Sequence, residues 1–429
     1  RTAAATAIAL ACVTLSACKT GDSEEKLLDS ARTYLASKDY KSAAIQLKTL
    51  LQRNAKSAEA RFLLGKAMLE TGDATGAAVE LAKARELGFA ADQVVPELAR
   101  ALLVSGGHAR VISEFASAQM ASPKAQADLQ TSLSVAYAVA GQNERSREAL
   151  ASALKSDPQF APAKILLARA KASENDFDGA LKVLDEVLAR EPGNERAGTF
   201  KGELLWHGKQ DEAGALAVLR KVIEVNPSAV GAQVALIGIH SEKGRTNEAR
   251  TQFQALKKVA PQHPDTLFIE GQFALQDNDP QKARDIANRL LKAMPDHPRV
   301  LALSGSANFR LGSMNQAENH LNRAVRAMPR HEPTRLLLVQ TYLRTNQPAR
   351  ALEVLTPLLD SKAADGPTLA LAGEAHMLAG DTKRADQYFQ LAAKAAPTDP
   401  RVRTSVALAQ LARGETQPAL DALEAVAAT

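Results

Sequence analysis

The sequence predicts an all-α chain, a solenoid of about twelve helix-turn-helix repeats, and three observations carry that prediction. Seven prolines stand almost in step, at Pro158, Pro192, Pro227, Pro261, Pro295, Pro329 and Pro397, with gaps of 34, 35, 34, 34, 34 and 68 residues. The last gap is two periods with one proline missing. Twelve residues upstream of six of these prolines sits an alanine: Ala180, Ala215, Ala249, Ala283, Ala317 and Ala385. Twenty-four residues upstream of three of them sits a glycine: Gly271, Gly305 and Gly373. Self-similarity at a fixed period marks a repeat architecture. Composition agrees: aromatics are 4%, good helix formers dominate, and no stretch alternates apolar and polar as a strand would.

Each element of the repeat has a physical role. Two amphipathic helices per unit carry apolar faces that one unit cannot bury alone, so neighbours must stack. The small residues at constant offsets suit close helix crossings. The proline closes the second helix, because it lacks an N–H and pushes the residue before it out of the α region. Short turns join the helices at residues 174–177, 242–245 and 310–313. Leu64–Gly65 followed by Met68, Ala77, Leu81 and Ala84, and Gly373 followed by Ala385, Phe389, Ala392 and Pro397, resemble the tetratricopeptide (TPR) repeat. That resemblance implies a right-handed α-α superhelix. Approximate units run 26–57, 58–91, 92–125, 126–160, 161–194, 195–229, 230–263, 264–297, 298–331, 332–365, 366–399 and 400–429. Pro96, Gly106–Gly107 and Pro123 interrupt the third unit, which is expected to hold a distorted helix pair. The unit around Trp206 carries one extra residue, which explains the 35-residue gap.

The first residues differ in kind. Ala3 to Leu15 form a short apolar run behind Arg1. A membrane-spanning helix needs roughly 20 apolar residues, so this run reads as the apolar core of a signal peptide, residues 1–18. It ends in Leu15–Ser16–Ala17–Cys18, which resembles the lipobox of bacterial lipoproteins. The resemblance implies that Cys18 is lipidated on its thiol and becomes the first residue of the mature chain. Lys19 in the next position implies an outer-membrane destination. The other cysteine, Cys12, would leave with the signal, so no disulfide and no cysteine-rich metal site is expected in an exported chain. An acyl anchor would attach the protein to a membrane. A polar linker, 19–25, then leads into the solenoid, 26–429. The chain starts with Arg and stops inside a second helix with no polar cap, so further repeats are expected beyond it.

A narrower resemblance lies just behind the lipobox. Residues 43–52 (AAIQLKTLLQ), 58–65 (AEARFLLG) and 80–88 (ELAKARELG) resemble the TPR-repeat lipoprotein of the PEP-CTERM/exosortase system. The likeness covers about the first hundred residues. It implies a cell-envelope protein of a Gram-negative bacterium, facing the periplasm and tied to exosortase sorting and exopolysaccharide loci.

Catalysis is not expected. The carboxylates fall at spacings typical of solvated helix faces; Glu144–Glu148 with Arg145–Arg147 reads as surface charge pairing. Phosphate loops, metalloprotease His pairs and nucleophile elbows are missing from the sequence. Gly106–Gly107 and Gly231 read as turn or packing glycines. His263, His297 and His331 recur every 34 residues, two after a repeat proline. Equivalent sites on stacked helices lie at least about 8–10 Å apart, too far to share an ion bound at roughly 2 Å. They read as turn residues, and no metal or cofactor is expected. Net charge is +5, from 53 basic and 48 acidic side chains, but the basic residues do not cluster and no aromatics interleave them. Nucleic acid is therefore not an expected partner.

Binding remains. TPR proteins take extended peptides or partner helices against their first helices, and the resemblance assigns groove positions to Arg169, Phe268, Gln272, Leu275, Phe309, Arg310, Gln340, Leu343 and Arg344. Phe268 and Phe309 are either partner anchors or inter-repeat packing residues. Two roles fit: a lipid-anchored scaffold serving PEP-CTERM protein sorting and exopolysaccharide export, or a periplasmic adaptor of an exopolysaccharide secretion channel.

Overall fold

Residues 23–360 and 364–427 are described by a computed structural model of the chain. The signal segment, Cys12, the lipobox and Cys18 lie outside the described residues. The secondary structure of the described residues is entirely helical. The chain divides into two compact units, one ending at Val225 and the other beginning at Asn226.

The first unit holds α1 (Glu24–Ala36), α2 (Tyr40–Arg53), α3 (Ala58–Glu70), α4 (Ala74–Glu86), α5 (Ala91–Val104), α6 (His108–Phe115), α7 (Pro123–Val139), α8 (Asn143–Ser156), α9 (Ala161–Ser173), α10 (Phe177–Arg190), α11 (Glu195–Glu203) and α12 (Glu212–Val225). The second holds α13 (Val230–Glu242), α14 (Thr246–Val259), α15 (Pro264–Gln276), α16 (Pro280–Ala293), α17 (Pro298–Arg310), α18 (Met314–Ala327), α19 (Glu332–Arg344), α20 (Pro348–Leu359), α21 (Gly366–Leu378), α22 (Thr382–Ala395), α23 (Pro400–Ala412) and α24 (Thr416–Ala427). Odd-numbered helices are the first of each pair, even-numbered the second.

The turn inside each pair depends on one residue with left-handed backbone, at Lys38, Gly72, Gly106, Gly141, Asn175, Gln210, Gly244, Asn278, Gly312, Asn346, Gly380 and Gly414. Ten of the twelve are Gly or Asn, the residues that tolerate positive φ. The next residue is often Asp, which caps the second helix: Asp73 accepts from the Gly76 N–H at 2.8 Å and Asp279 from Lys282 at 3.0 Å. Such caps satisfy N–H groups that have no partner inside the helix.

The proline ladder closes the second helices as the sequence predicts. The residues before Pro295 and Pro397 leave the helical region, with φ −136° and ψ 70° at Met294 and φ −143° and ψ 69° at Ala396. His263, His297 and His331 occupy the N-cap positions of α15, α17 and α19. His263 Nδ1 accepts from the Asp265 N–H at 3.3 Å. They are turn residues.

Most of the small residues sit where paired helices cross, while Gly271 on α15 faces Leu303 of the neighbouring first helix α17. A Cβ on Gly65 would lie 2.5 Å from Leu81 Cγ, one on Gly305 2.5 Å from Leu321 Cγ, and one on Gly373 2.7 Å from Phe389 Cε1. Each pair is separated by sixteen residues in the chain. Ala180, Ala215, Ala249, Ala283 and Ala317 are wholly buried beside them.

Two helix starts differ from those the sequence suggests. Helix α1 begins at Glu24, inside the expected linker, because Ser23 accepts from the Lys26 N–H and Glu24 and Glu25 favour the first turn. Helix α7 begins at Pro123 rather than 126, since Ser122 caps it and proline suits the first position.

The third pair is distorted, as its prolines and glycines predict. Helix α5 contains Pro96, and α6 has only eight residues. The loop after α6 is held by Asp92, whose carboxylate accepts from the Ala121 N–H at 2.8 Å and the Ser122 N–H at 2.7 Å. The Ala121 N–H, followed by those from Ser122, holds this carboxyl below the usual carboxylate range. A group so depressed contributes stability above its unfolded pKa of about 3.9. That contribution fades as pH falls through the lower folded value. Asp92→Asn should therefore speed amide exchange at Ala121 and Ser122 near neutral pH. Its difference from wild type should shrink below pH about 4; a difference that persists at pH 2 would contradict the assignment.

The extra residue near Trp206 is taken up in one turn. Leu204–Gly208 is a π-helix, with the Lys209 N–H donating to Leu204 O at 3.0 Å. A π-turn is the usual form of one residue inserted in a helix. Gly202 accordingly faces Leu219, seventeen residues on rather than sixteen.

Candidate functional site

In the second unit the first helices pack side by side, α15 on α17, α17 on α19, α19 on α21 and α21 on α23. Their shared surface holds two pockets. The first, of about 270 Å³, has Phe268, Leu275, Ala302 and Leu303 for apolar walls and Gln272, Arg299 and Ser306 as polar groups. The second, of about 370 Å³, is walled by Leu336, Leu343, Ala370 and Leu371, with Gln340, Arg344, Glu374, Arg401 and Ser405.

The two pockets are one design repeated. Phe268, Gln272, Leu275, Ala302, Leu303 and Ser306 correspond, 68 residues on, to Leu336, Gln340, Leu343, Ala370, Leu371 and Glu374. The period therefore sets two equivalent concavities two repeats apart. Their charge differs at three of the repeated positions: Arg299 becomes Pro367, Pro333 becomes Arg401, and Ser306 becomes Glu374. Ser306 donates to Ala302 O at 2.9 Å within its own helix, which leaves Gln272, Arg299, His331 and Thr334 as the other polar groups beside the apolar walls of the first pocket. Burial pushes the Glu374 carboxyl up, and a 2.5 Å hydrogen bond from the Ser405 hydroxyl opposes it.

The residues that the sequence assigned to the groove fall into three groups. Phe268, Gln272 and Leu275 line the first pocket, while Gln340, Leu343 and Arg344 line the second. Arg169 lies in the first unit, its guanidinium 4.4 Å from the Phe200 ring centre. Phe309 is not an open anchor. It is buried among Ala317, Leu321 and Leu338, and the Arg344 guanidinium covers its ring at 4.2 Å. Arg310 reaches back to donate to Leu275 O. Phe268 is the floor of its pocket, and Arg299 lies 4.5 Å from its ring centre. Cation–π stacking of this kind removes the ring face from a ligand and leaves the guanidinium edge.

Sequence reasoning missed Arg299, Glu374, Arg401 and Ser405. The signal was present: Gln272, Ser306, Gln340 and Glu374 recur at 34-residue steps on successive first helices. Aligning that one position would have singled out the only ionisable residue among the four.

Two tetratricopeptide repeat profiles match the chain, one over residues 137–204 and 308–375, the other over 28–92, 235–298 and 270–332. Together these segments span well over half of it. The chain belongs to the tetratricopeptide repeat family. Several solved structures are similar to parts of it, each with a TM-score below 0.5. A tetratricopeptide repeat protein from Parabacteroides merdae is 16% identical, with TM-score 0.41, covering 58% of this chain and 98% of its own. PilF of Pseudomonas aeruginosa is 16% identical, with TM-score 0.42, covering 53% and 100%. A chain of the APC/C Cut9–Hcn1 hetero-tetramer is 15% identical, with TM-score 0.42, covering 94% and 78%. No curated protein matches the chain. TPR surfaces built from first helices are typical of protein–protein interaction scaffolds.

Proposed function

We propose that this TPR chain is a non-enzymatic, lipid-anchored scaffold of the Gram-negative cell envelope, facing the periplasm from the outer membrane. It serves PEP-CTERM protein sorting by exosortase and exopolysaccharide export, and takes an extended segment of a partner protein along its first helices. The pair of equivalent pockets supports the binding role. Repeated apolar concavities with a few polar groups suit side chains that project at intervals from an extended peptide. The groups gathered there include apolar walls, Arg299 and Arg344 stacked on rings, and the carboxyl of Glu374, a set suited to recognition. Anchoring rests on Leu15–Ser16–Ala17–Cys18, and the envelope assignment on the segments that follow it.

Fractionation of the producing cell tests the anchor. Wild type should sediment with membranes, and Cys18→Ala should appear in the soluble periplasmic fraction. A variant that stays wholly with the membranes would rule out lipid attachment. For the groove, Leu343→Asp should abolish co-purification of envelope partners while leaving the melting midpoint nearly unchanged, because Leu343 is only partly buried.

A further inference from the structure

Of the differences between the repeated pockets, the carboxyl of Glu374 in place of Ser306 is the one that specifies a ligand. Glu374 is partly buried on α21, and Ser405 occupies its Oε1 at 2.5 Å. Among the described residues its carboxyl has no ion-pair partner. The arginines that line the same pocket are committed elsewhere: Arg401 pairs with Asp399 at 2.8 Å, and Arg344 lies over the Phe309 ring at 4.2 Å. A partly desolvated carboxyl without a cation is costly, and a partner that supplies one recovers that cost on binding. Leu336, Leu343 and Leu371 give the pocket around it an apolar wall, beside Gln340 and the two arginines.

We infer that the α19–α21–α23 pocket takes a lysine side chain of the partner, its methylenes along the leucines and its ammonium on Glu374, while the α15–α17 pocket takes an apolar side chain of the same peptide. This rests on the groove reading above. Lysine fits better than arginine, because Ser405 leaves one carboxylate oxygen open and a compact ammonium needs only one, whereas a guanidinium is made for two. Lysine stems commonly lie along apolar surface with the charged end at a polar group. Spacing follows from the repeat. Successive packed helices lie roughly 8–10 Å apart, so pockets two repeats apart are separated by about 16–20 Å. At about 3.3 Å per residue, an extended peptide spans this in five or six residues. The partner segment therefore carries an apolar residue and a lysine about five or six positions apart.

Fluorescein-labelled decapeptides in a Gly-Ser-Thr background test this on the full chain. Each carries Leu and Lys five or six positions apart, in either order, alongside versions with Gln or Glu in place of Lys. Polarisation titrations should show the lysine peptides of one order binding about tenfold tighter than their Gln counterparts, with the Glu versions weakest. In Glu374→Gln, which keeps shape and volume, that preference should fall below about twofold. The exchange Ser306→Glu with Glu374→Ser should transfer it to peptides of the opposite order. A lysine preference unchanged in Glu374→Gln overturns the inference, and so does binding that ignores the lysine; in both cases the groove reading survives. Failure of every peptide to bind overturns the groove reading and this inference with it.

Discussion

Leu321→Ala should destabilise the second unit by about 2–5 kcal/mol. Leu321 is wholly buried on α18, in one core with Ala317, Leu338 and Tyr342, and it fills the space that Gly305 leaves on α17. Gly305→Ala alone should cost about 1–3 kcal/mol, because its methyl would press on Leu321 Cγ at 2.5 Å. In the double variant the methyl enters part of the cavity that Leu321 vacates. The loss should then fall short of the sum of the single losses, by a coupling of about 0.5–3 kcal/mol. Urea titrations of the four proteins measure it. Additive losses would mean that the crossing does not explain the glycine.

Tyr342→Ala should cost about 3–5 kcal/mol, as for other large aromatic truncations. Tyr342 is 2% exposed, its ring lies under the Arg350 guanidinium at 4.3 Å, and its hydroxyl donates to Asn322 Oδ1 at 2.8 Å. Tyr342→Phe separates these contributions. It keeps the packing and removes one donor, so about 1 kcal/mol should be lost. If Phe were as damaging as Ala, the hydroxyl and not the ring would be holding α19 against α18. Repeat arrays can unfold in parts, so amide exchange in α17 to α20 is the sharper readout for both variants.

Much of the fold was legible because the period imposes the same contacts again and again. The prolines gave the ends of the second helices, Gly305 and Gly373 the crossings, and the residue count around Trp206 showed that one pair was longer. The sequence could not show how the extra residue would be absorbed, since a π-turn and a longer loop have the same length. Helix starts at Glu24 and Pro123 were set by the caps Ser23 and Ser122, local hydrogen bonds that a search for period overlooks. The groove was only half visible. Gln272, Leu275, Gln340 and Leu343 lie where a repeat position predicts, yet Phe309 turned inward to join the core of Ala317, Leu321 and Leu338. Glu374 was missed because a lone glutamate on a helix usually faces water. Only the packing of Ser405 and the leucines around it makes it different.

The π-turn at Leu204–Gly208 bears on how such a chain tolerates change. One added residue in an ordinary helix would swing every later side chain by about 100° and carry it about 1.5 Å along the axis. In a stack, that error would be inherited by each following unit. Here it dies out within one turn, and Ala215, Leu216, Leu219 and Val222 still form the buried stripe of α12. Insertions and deletions of single residues can thus be confined to the helix in which they arise, and the later units keep their own frame.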